Sequence, residues 1–312
     1  MRPPYPGHLL WEAANEIRAA GLGMERMFFG TAMAAVDVGA AAILHARGFK
    51  SHWVETSVGS MHVIDAAGAG TLPPVAVLHG LGSCATDYAG LIDVLRSRCR
   101  RVVAPDLFGH GLSPTPRGGM QPALLATGVE ESLRGILDEP TVLMGNSMGG
   151  LEAVRIAVRA PELVRGIFLA SPGGAPMDAP ALRALFDEFR LNSRREALEF
   201  VDRFLGRPNG LRSVLAFGVQ SRMSSTAIRE LLDSTGPDDL LSAAELRQIG
   251  CPAFLFWGAD DQVLPWEQRQ FFLDNLPHAT AYASPARYGH APQMDDLGGF
   301  ARYVLRFLRR LE

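Results

Sequence analysis

Cysteine is scarce. The chain has three, Cys84, Cys99 and Cys251, in 312 residues. An odd and scattered set excludes a disulfide framework and a cysteine-rich metal cluster. Free thiols in a reducing compartment are expected, and with them a cytoplasmic location. An excess of one charge is also lacking: the net charge is −3, so there is no electrostatic footprint for nucleic acid. Internal repeats and low-complexity tracts are absent. So is an uninterrupted apolar run of membrane length. The best candidate, residues 27–44, is rich in Gly and Ala and carries Asp37 in its middle. A central Asp costs about 3 kcal/mol in a membrane span, and a run this short is barely long enough to cross. It is expected to be a helix docked on protein, following a first helix over residues 9–20. A peripheral membrane contact through these N-terminal helices stays open. No basic segment opens the chain ahead of an apolar stretch, so a cleaved secretory signal is not expected. Nothing in the sequence reads on oligomeric state.

What is present is a large apolar inventory, 47% of residues, with 20% charged. That suits one sizeable core, with or without an insertion. Trp53 to Val58 and Met61 to Asp65 read as a hairpin turning at Gly59-Ser60. The pattern changes at Val75-Ala-Val-Leu78, a continuous apolar run expected of a strand buried on both faces. Helices (88–98, 122–137 and from 151) then alternate with strands (101–104, 141–144, 166–170). This alternation implies a parallel sheet with helices on both faces and right-handed crossovers. It stops at Ser171. Residues 173–249 contain no convincing strand and read as five short helices: 179–189, 194–205, 210–220, 225–232 and 243–249. The rhythm resumes with strand 253–257, helix 266–275, strand 280–283 and one last helix. The expected architecture is α/β: a leader (1–50), a core (51–172 and 250–312) and an inserted helical cap (173–249).

The chain is organised around Thr141-Val-Leu-Met-Gly-Asn-Ser-Met-Gly-Gly150. A strand that turns directly into a helix leaves no room for a β-carbon at its flanks, and Gly145 and Gly149 remove that clash. The turn pushes the Ser147 hydroxyl out of the sheet. The free N–H groups of the helix start point at whatever Ser147 attacks. With 17 serines and 33 glycines, a G-x-S-x-G match is expected by chance about 0.2 times in such a chain. The flanking strand and helix give the match its meaning.

A nucleophilic serine needs a base, and the base needs an orienting carboxylate. His290 follows a short strand, in loop 284–293, at the same sheet edge as Ser147. The loop Gly258-Ala-Asp-Asp-Gln-Val-Leu-Pro265 supplies Asp260 and Asp261. The order Ser, Asp, His is the one expected of this type of fold. Oxyanion donors are a large part of acyl transfer, about 10²–10³ in rate for one donor. Met148 N–H is the first candidate. Leu81 N–H, in the Gly-rich turn His79-Gly-Leu-Gly-Ser83, is the second.

On His79-Gly80-Leu81-Gly82, Asp106-Leu-Phe-Gly-His-Gly-Leu-Ser113, Gly145-Asn-Ser-Met-Gly-Gly150, Gly258 to Pro265 and Gly289-His290-Ala-Pro292, the sequence resembles an α/β-hydrolase over residues 53–310. The resemblance implies a mostly parallel central sheet with an inserted cap, and a triad of Ser147, Asp261 and His290. The family's G-x-x-D-x-x-x-P pattern puts the acid on Asp261. Asp106, His110 and Ser113 match a stretch that the family uses mainly for structure and pocket shape, so no catalytic role is expected of them. The elbow, cap and leader are similar to bacterial lipase/esterases and monoacylglycerol lipases. Meta-cleavage C–C hydrolases share the elbow but carry a Ser-Gly-Pro-Gly-type turn where this chain has Leu-Gly-Ser-Cys84. Haloalkane dehalogenases and epoxide hydrolases need Asp at position 147.

The expected function is hydrolysis of small-molecule carboxylic esters through an acyl-enzyme, without cofactor or metal. The alternatives are a C–C bond hydrolase and a non-catalytic binding protein on the same scaffold. Cap residues Leu182, Leu185, Phe186, Phe189, Phe200, Phe204, Leu215 and Phe217 are expected mostly to fill the cap's own core. A minority, about a quarter, should line an acyl pocket, which suggests an apolar acyl chain.

Overall fold

Eight strands form one sheet in the order β1-β2-β4-β3-β5-β6-β7-β8. They are β1 (Lys50–Thr56), β2 (Gly59–Ala67), β3 (Val75–Leu78), β4 (Arg101–Pro105), β5 (Thr141–Asn146), β6 (Val164–Ala170), β7 (Ala253–Phe256) and β8 (Ala281–Ala283). The structure is a computed structural model and describes residues 37–207, 210–277 and 280–312. β1 and β2 form an antiparallel hairpin, and β2 pairs antiparallel to β4. From β4 onward all neighbours are parallel. This is the mostly parallel α/β sheet that the alternating pattern predicts.

The hairpin turn is displaced from its expected place. Thr56 pairs with Gly59, so the turn residues are Ser57-Val58. Gly59 opens β2 with φ +145°, a conformation that side chains disfavour. The glycine therefore serves the strand entry and not the centre of the turn.

Strand side chains alternate between two cores, as a period of two dictates. Val75, Val77, Val142, Met144, Phe168, Phe254 and Phe256 face one core, which helices Ala89–Arg96 and Leu297–Arg309 close. Ala76, Leu78, Leu143, Ile167, Leu169 and Leu255 face the other. Helices Pro122–Ile136, Met148–Arg159 and Trp266–Asn275 close that side. The C-terminal helix is two helices, not one. Pro292–Asp295 ends at Asp296, whose side chain accepts from Gly299 N–H and starts the next helix.

Between β6 and β7 the described residues contain helices and no strand: Ala179–Phe189, Arg194–Phe204, Arg212–Met223, Thr226–Ser234 and Ala243–Arg247. Four of them start at a side chain that accepts from the first turn: Asp178, Ser193, Ser225 and Ser242. Ser193 and Ser242 complete capping boxes with Glu196 and Glu245. Apolar residues of this block, among them Leu185, Phe189, Phe200 and Leu231, are continuous with the second core. The insertion is therefore packed on the sheet and not tethered beside it.

Of the leader, residues 37–46 are helical. Asp37, Ala41 and Leu44 are buried against the rest of the chain. The helix expected over 9–20, and residues 27–36, lie outside the described residues. No helix among the described residues is long and apolar enough to cross a membrane.

Candidate active site

β5 runs straight into helix Met148–Arg159, and Ser147 is the junction, with φ 53° and ψ −119°. A non-glycine residue held there is strained, and such strain persists only where its surroundings fix it. They do so by close backbone approach. A β-carbon at position 145 would lie 2.2 Å from Gly149 O, and one at 149 would lie 2.1 Å from Leu78 O. Ser147 N–H donates to Ala170 O at 3.1 Å, and Ser147 O receives Gly150 N–H at 2.9 Å.

The His79–Ser83 turn lies against the elbow. A β-carbon on Gly80 would come within 3.1 Å of Ser147 Cβ. His79 pins this turn: Nδ1–H donates to Gly80 O at 2.8 Å and Nε2 accepts from Leu107 N–H at 2.9 Å. Leu81, Ser147 and Met148 line one cavity of about 110 Å³. The two expected oxyanion donors and the expected nucleophile thus share one space.

His290 is buried, and its Nδ1 is 2.9 Å from Asp261 Oδ2. Asp261 Oδ1 accepts from Val263 N–H at 2.9 Å and Leu264 N–H at 3.4 Å. Burial pushes the Asp261 carboxyl up, but the His290 charge and these hydrogen bonds outweigh it and hold it below the usual range. Asp260 points elsewhere. It is exposed, and its Oδ2 accepts from Arg287 N–H at 2.6 Å. Of the two neighbours, Asp261 is the one that meets His290.

Among the described residues no hydrogen bond joins the Ser147 and His290 side chains. They are linked through Asn146, a partner that sequence reasoning missed. Asn146 Nδ2 donates to His290 O at 3.0 Å and to Ala170 O at 2.9 Å. Its Oδ1 receives Tyr88 O–H at 2.8 Å. Hydrogen bonds between such groups are often long without substrate and tighten on binding. Asp295 was missed as well: its carboxylate receives Gly206 N–H at 2.9 Å and Gly289 N–H at 2.7 Å, joining the cap to the His290 loop. Phe204 O receives His290 N–H at 2.8 Å. None of these partners shares a motif or a spacing with the residue it holds.

A further missed feature is a clamp on the Gly-rich turn. Arg222, at the end of cap helix Arg212–Met223, donates to Asp87 Oδ2 and Asp37 Oδ1, both at 2.5 Å. Asp87 Oδ2 also receives Ser83 O–H at 2.7 Å and Cys84 N–H at 3.2 Å. One guanidinium therefore joins the cap, the turn carrying Leu81, and the leader. Burial leaves the Asp37 carboxyl above its usual range despite Arg222. The isolated acid of the apolar leader has a buried partner far along the chain.

Asp106, His110 and Ser113 form a separate buried group away from the cavity lining. Asp106 carboxylate oxygens receive Ala85 N–H at 2.8 Å and Leu112 N–H at 3.0 Å, and meet His62 Nδ1 at 2.8 Å. Burial and the nearby His79 push the His110 imidazole down to about 3.

The cavity continues from Ser147 beneath the cap. Of the eight apolar cap residues named above, Leu182, Leu185, Phe186 and Phe189 line it. That is half of them and not a quarter, because helix Ala179–Phe189 lies directly over the cavity. Glu152, Arg155 and Gln268 line it too.

A family model described as the alpha/beta hydrolase family matches residues 75–303. An uncharacterized protein of Mycobacterium tuberculosis is 29% identical over 275 residues, covering 78% of this chain and 77% of that protein. A 2-hydroxy-6-oxo-2,4-heptadienoate hydrolase of Pseudomonas putida is 28% identical over 267 residues, covering 77% of this chain and 90% of that enzyme. Among solved structures, carboxylesterase CesB from Bacillus subtilis superposes with a TM-score of 0.72 at 20% identity, over 88% of this chain and 98% of the other.

Proposed function

Because the chain belongs to the alpha/beta hydrolase family, we propose that it is a serine hydrolase that cleaves carboxylic esters of apolar acyl chains. One observation carries this reading. A strained Ser147 opens, with Leu81 and Met148, onto a largely apolar cavity, and a buried His290–Asp261 pair stands at the same sheet edge.

Ser147 Oγ attacks the ester carbonyl and forms an acyl-enzyme. His290 Nε2 takes the hydroxyl proton and returns it to the leaving alcohol. Asp261 keeps the Nδ1 proton in place and stabilises the imidazolium. Leu81 and Met148 N–H groups receive the negative charge on the carbonyl oxygen. Water then repeats the sequence on the acyl-enzyme. The apolar lining beneath the cap takes the acyl chain and excludes water from it.

The test is turnover of a chain-length series of p-nitrophenyl esters by wild type and by Ser147→Ala. Wild type should be active and the variant inactive while still folded. A fluorophosphonate should label wild type on Ser147 alone. Labelling of another serine, or full activity in Ser147→Ala, overturns the assignment. The Pseudomonas relative gives one observation in favour of a C–C bond hydrolase. Turnover of a vinylogous diketone with no turnover of any ester would select it. The Leu-Gly-Ser-Cys84 turn and the largely apolar lining favour the ester.

A further inference from the structure

Met148, Leu151, Glu152 and Arg155 lie along one wall of the cavity. Their spacing is that of one helix face. The wall changes chemistry as it leaves Ser147, apolar at Met148 and Leu151 and ionic at Glu152 and Arg155. Glu152 is only 1% exposed. Its Oε1 accepts from Arg155 Nη1 at 2.8 Å, and Arg155 Nη2 donates to Asp239 O. These contacts fasten the helix to the cap's last loop. They use one carboxylate oxygen. Glu152 Oε2 is buried and has no hydrogen-bond partner among the described residues. Burial pushes this carboxyl up, against the pull of Arg155. Ionised or protonated, Oε2 still calls for a partner.

Gln268 lines the same cavity and is 4% exposed. Its Oε1 accepts from Ala175 N–H at 3.3 Å. Among the described residues its Nε2 meets only the Met177 thioether, at 3.3 Å, and a thioether is a weak acceptor. Apart from Ser147, Arg155, Thr235 and Asp239, the side chains around this space are mostly Leu, Phe and Met, and its wall carries a buried carboxyl and an amide whose hydrogen bonds are incomplete. A plain alkyl chain leaves both unmet, at the cost that buried polar groups incur without partners. A hydroxyl both donates and accepts.

We propose that Glu152, with Gln268 on the same cavity, selects an acyl chain that carries a hydroxyl group. The proposal rests on the ester-hydrolase reading of Ser147. Glu152 lies four residues beyond Met148, about 6 Å along the helix axis. The hydroxyl therefore falls roughly five carbons beyond the ester carbonyl. The shortest form of such a substrate is a 6-hydroxyhexanoyl ester.

The experiment compares p-nitrophenyl heptanoate with p-nitrophenyl 6-hydroxyhexanoate, which has the same number of chain atoms. Wild type should take the hydroxylated ester at least as well as the alkyl one in kcat/KM. A hydrocarbon-lined pocket would disfavour it by about tenfold or more. Glu152→Gln keeps the shape and a hydrogen bond to Arg155, and should lower the hydroxylated-to-alkyl ratio by about tenfold. If that variant fails to fold, as judged by melting, Gln268→Leu takes its place and the same ratio should fall. A wild type that disfavours the hydroxylated ester about tenfold, or a ratio unmoved by the folded variant, overturns the proposal. If wild type hydrolyses neither ester, the ester reading fails on its own. The subsite is then judged by calorimetry with the free acids. Tighter binding of 6-hydroxyhexanoic acid supports it, and tighter binding of heptanoic acid overturns it.

Discussion

Replacing one carboxylate oxygen in the Asp260-Asp261 pair separates the roles of two adjacent residues. In Asp261→Asn the new side chain keeps its shape, and its oxygen can stay where Val263 and Leu264 N–H groups hold Oδ1, at 2.9 and 3.4 Å. The amide NH₂ then faces His290 Nδ1, where Oδ2 stood at 2.9 Å. A donor at that point places the imidazole proton on Nε2. The ring can no longer accept the Ser147 proton, and kcat should fall by about 10⁴. Asp260→Asn removes the charge from an exposed acceptor for Arg287 N–H and so weakens that hydrogen bond. Its cost is about 1 kcal/mol of stability, and at least a tenth or so of the rate should remain, because no catalytic hydrogen bond is touched. The assay is steady-state hydrolysis of a p-nitrophenyl ester by both variants, after each is shown to melt near wild type. pH adds a second readout. The Asp261 carboxyl is held below its ordinary 3.8. Its contribution to stability is therefore present above that pH and lost as pH falls further, through the lowered folded value. Asp261→Asn should lack this acid-sensitive step. A folded but inactive Asp260→Asn beside an active Asp261→Asn would move the acid by one residue and refute the reasoning.

The remaining predictions concern the base, the clamp and the leader. His290→Ala should lose ester turnover, whereas His110→Ala, which empties a buried site away from the cavity, should mainly lower the melting temperature. The reverse pattern in folded variants would exchange their roles. Arg222→Gln leaves Asp37 and Asp87 partly buried without their cation and should destabilise by about 3 kcal/mol. At temperatures where it stays folded, kcat should fall more than KM rises, because the turn carrying Leu81 loses its anchor, and Arg222→Lys should restore part of the loss. An unchanged kcat in folded Arg222→Gln would show that the clamp serves stability alone. Full-length protein should stay in the supernatant after high-speed centrifugation without detergent, since residues 37–46 dock on the chain's own core. Recovery in a salt-resistant membrane pellet would favour an anchor instead.

What was legible in the sequence was whatever local chemistry dictates. β3 and β7 are fully buried and apolar throughout, as is expected of a strand covered on both faces. The elbow could be read because backbone crowding admits only glycine at 145 and 149. Asp261 could be told from Asp260 only through the resemblance, whose G-x-x-D-x-x-x-P pattern puts the acid at 261. The hairpin turn was misplaced by two residues, because a glycine can serve a strand entry as readily as a turn, and composition does not distinguish the two. Partners set by tertiary contact were not legible at all. Asp37 meets Arg222 at a separation of 185 residues, and nothing in either neighbourhood signals the other.

Helix Met148–Arg159 shows most clearly where local reading ends. Its Glu152 and Arg155 are an i,i+3 pair of opposite charge, the spacing at which a surface helix makes solvated ion pairs. They are instead 1% and 9% exposed. The helix is covered twice, by the sheet on one side and by the cap on the other. Periodicity detects the first covering, because the sheet demands hydrocarbon. It misses the second, because the cap leaves a cavity there, and a cavity tolerates polar groups that a packed core would not. Glu152 and Arg155 are therefore invisible as cavity-lining residues until the cap is placed. The chemistry common to the family sits at strand ends and in glycine turns that the sequence displays. On the proposed reading, the groups that would distinguish one substrate from another sit where two separately encoded layers meet.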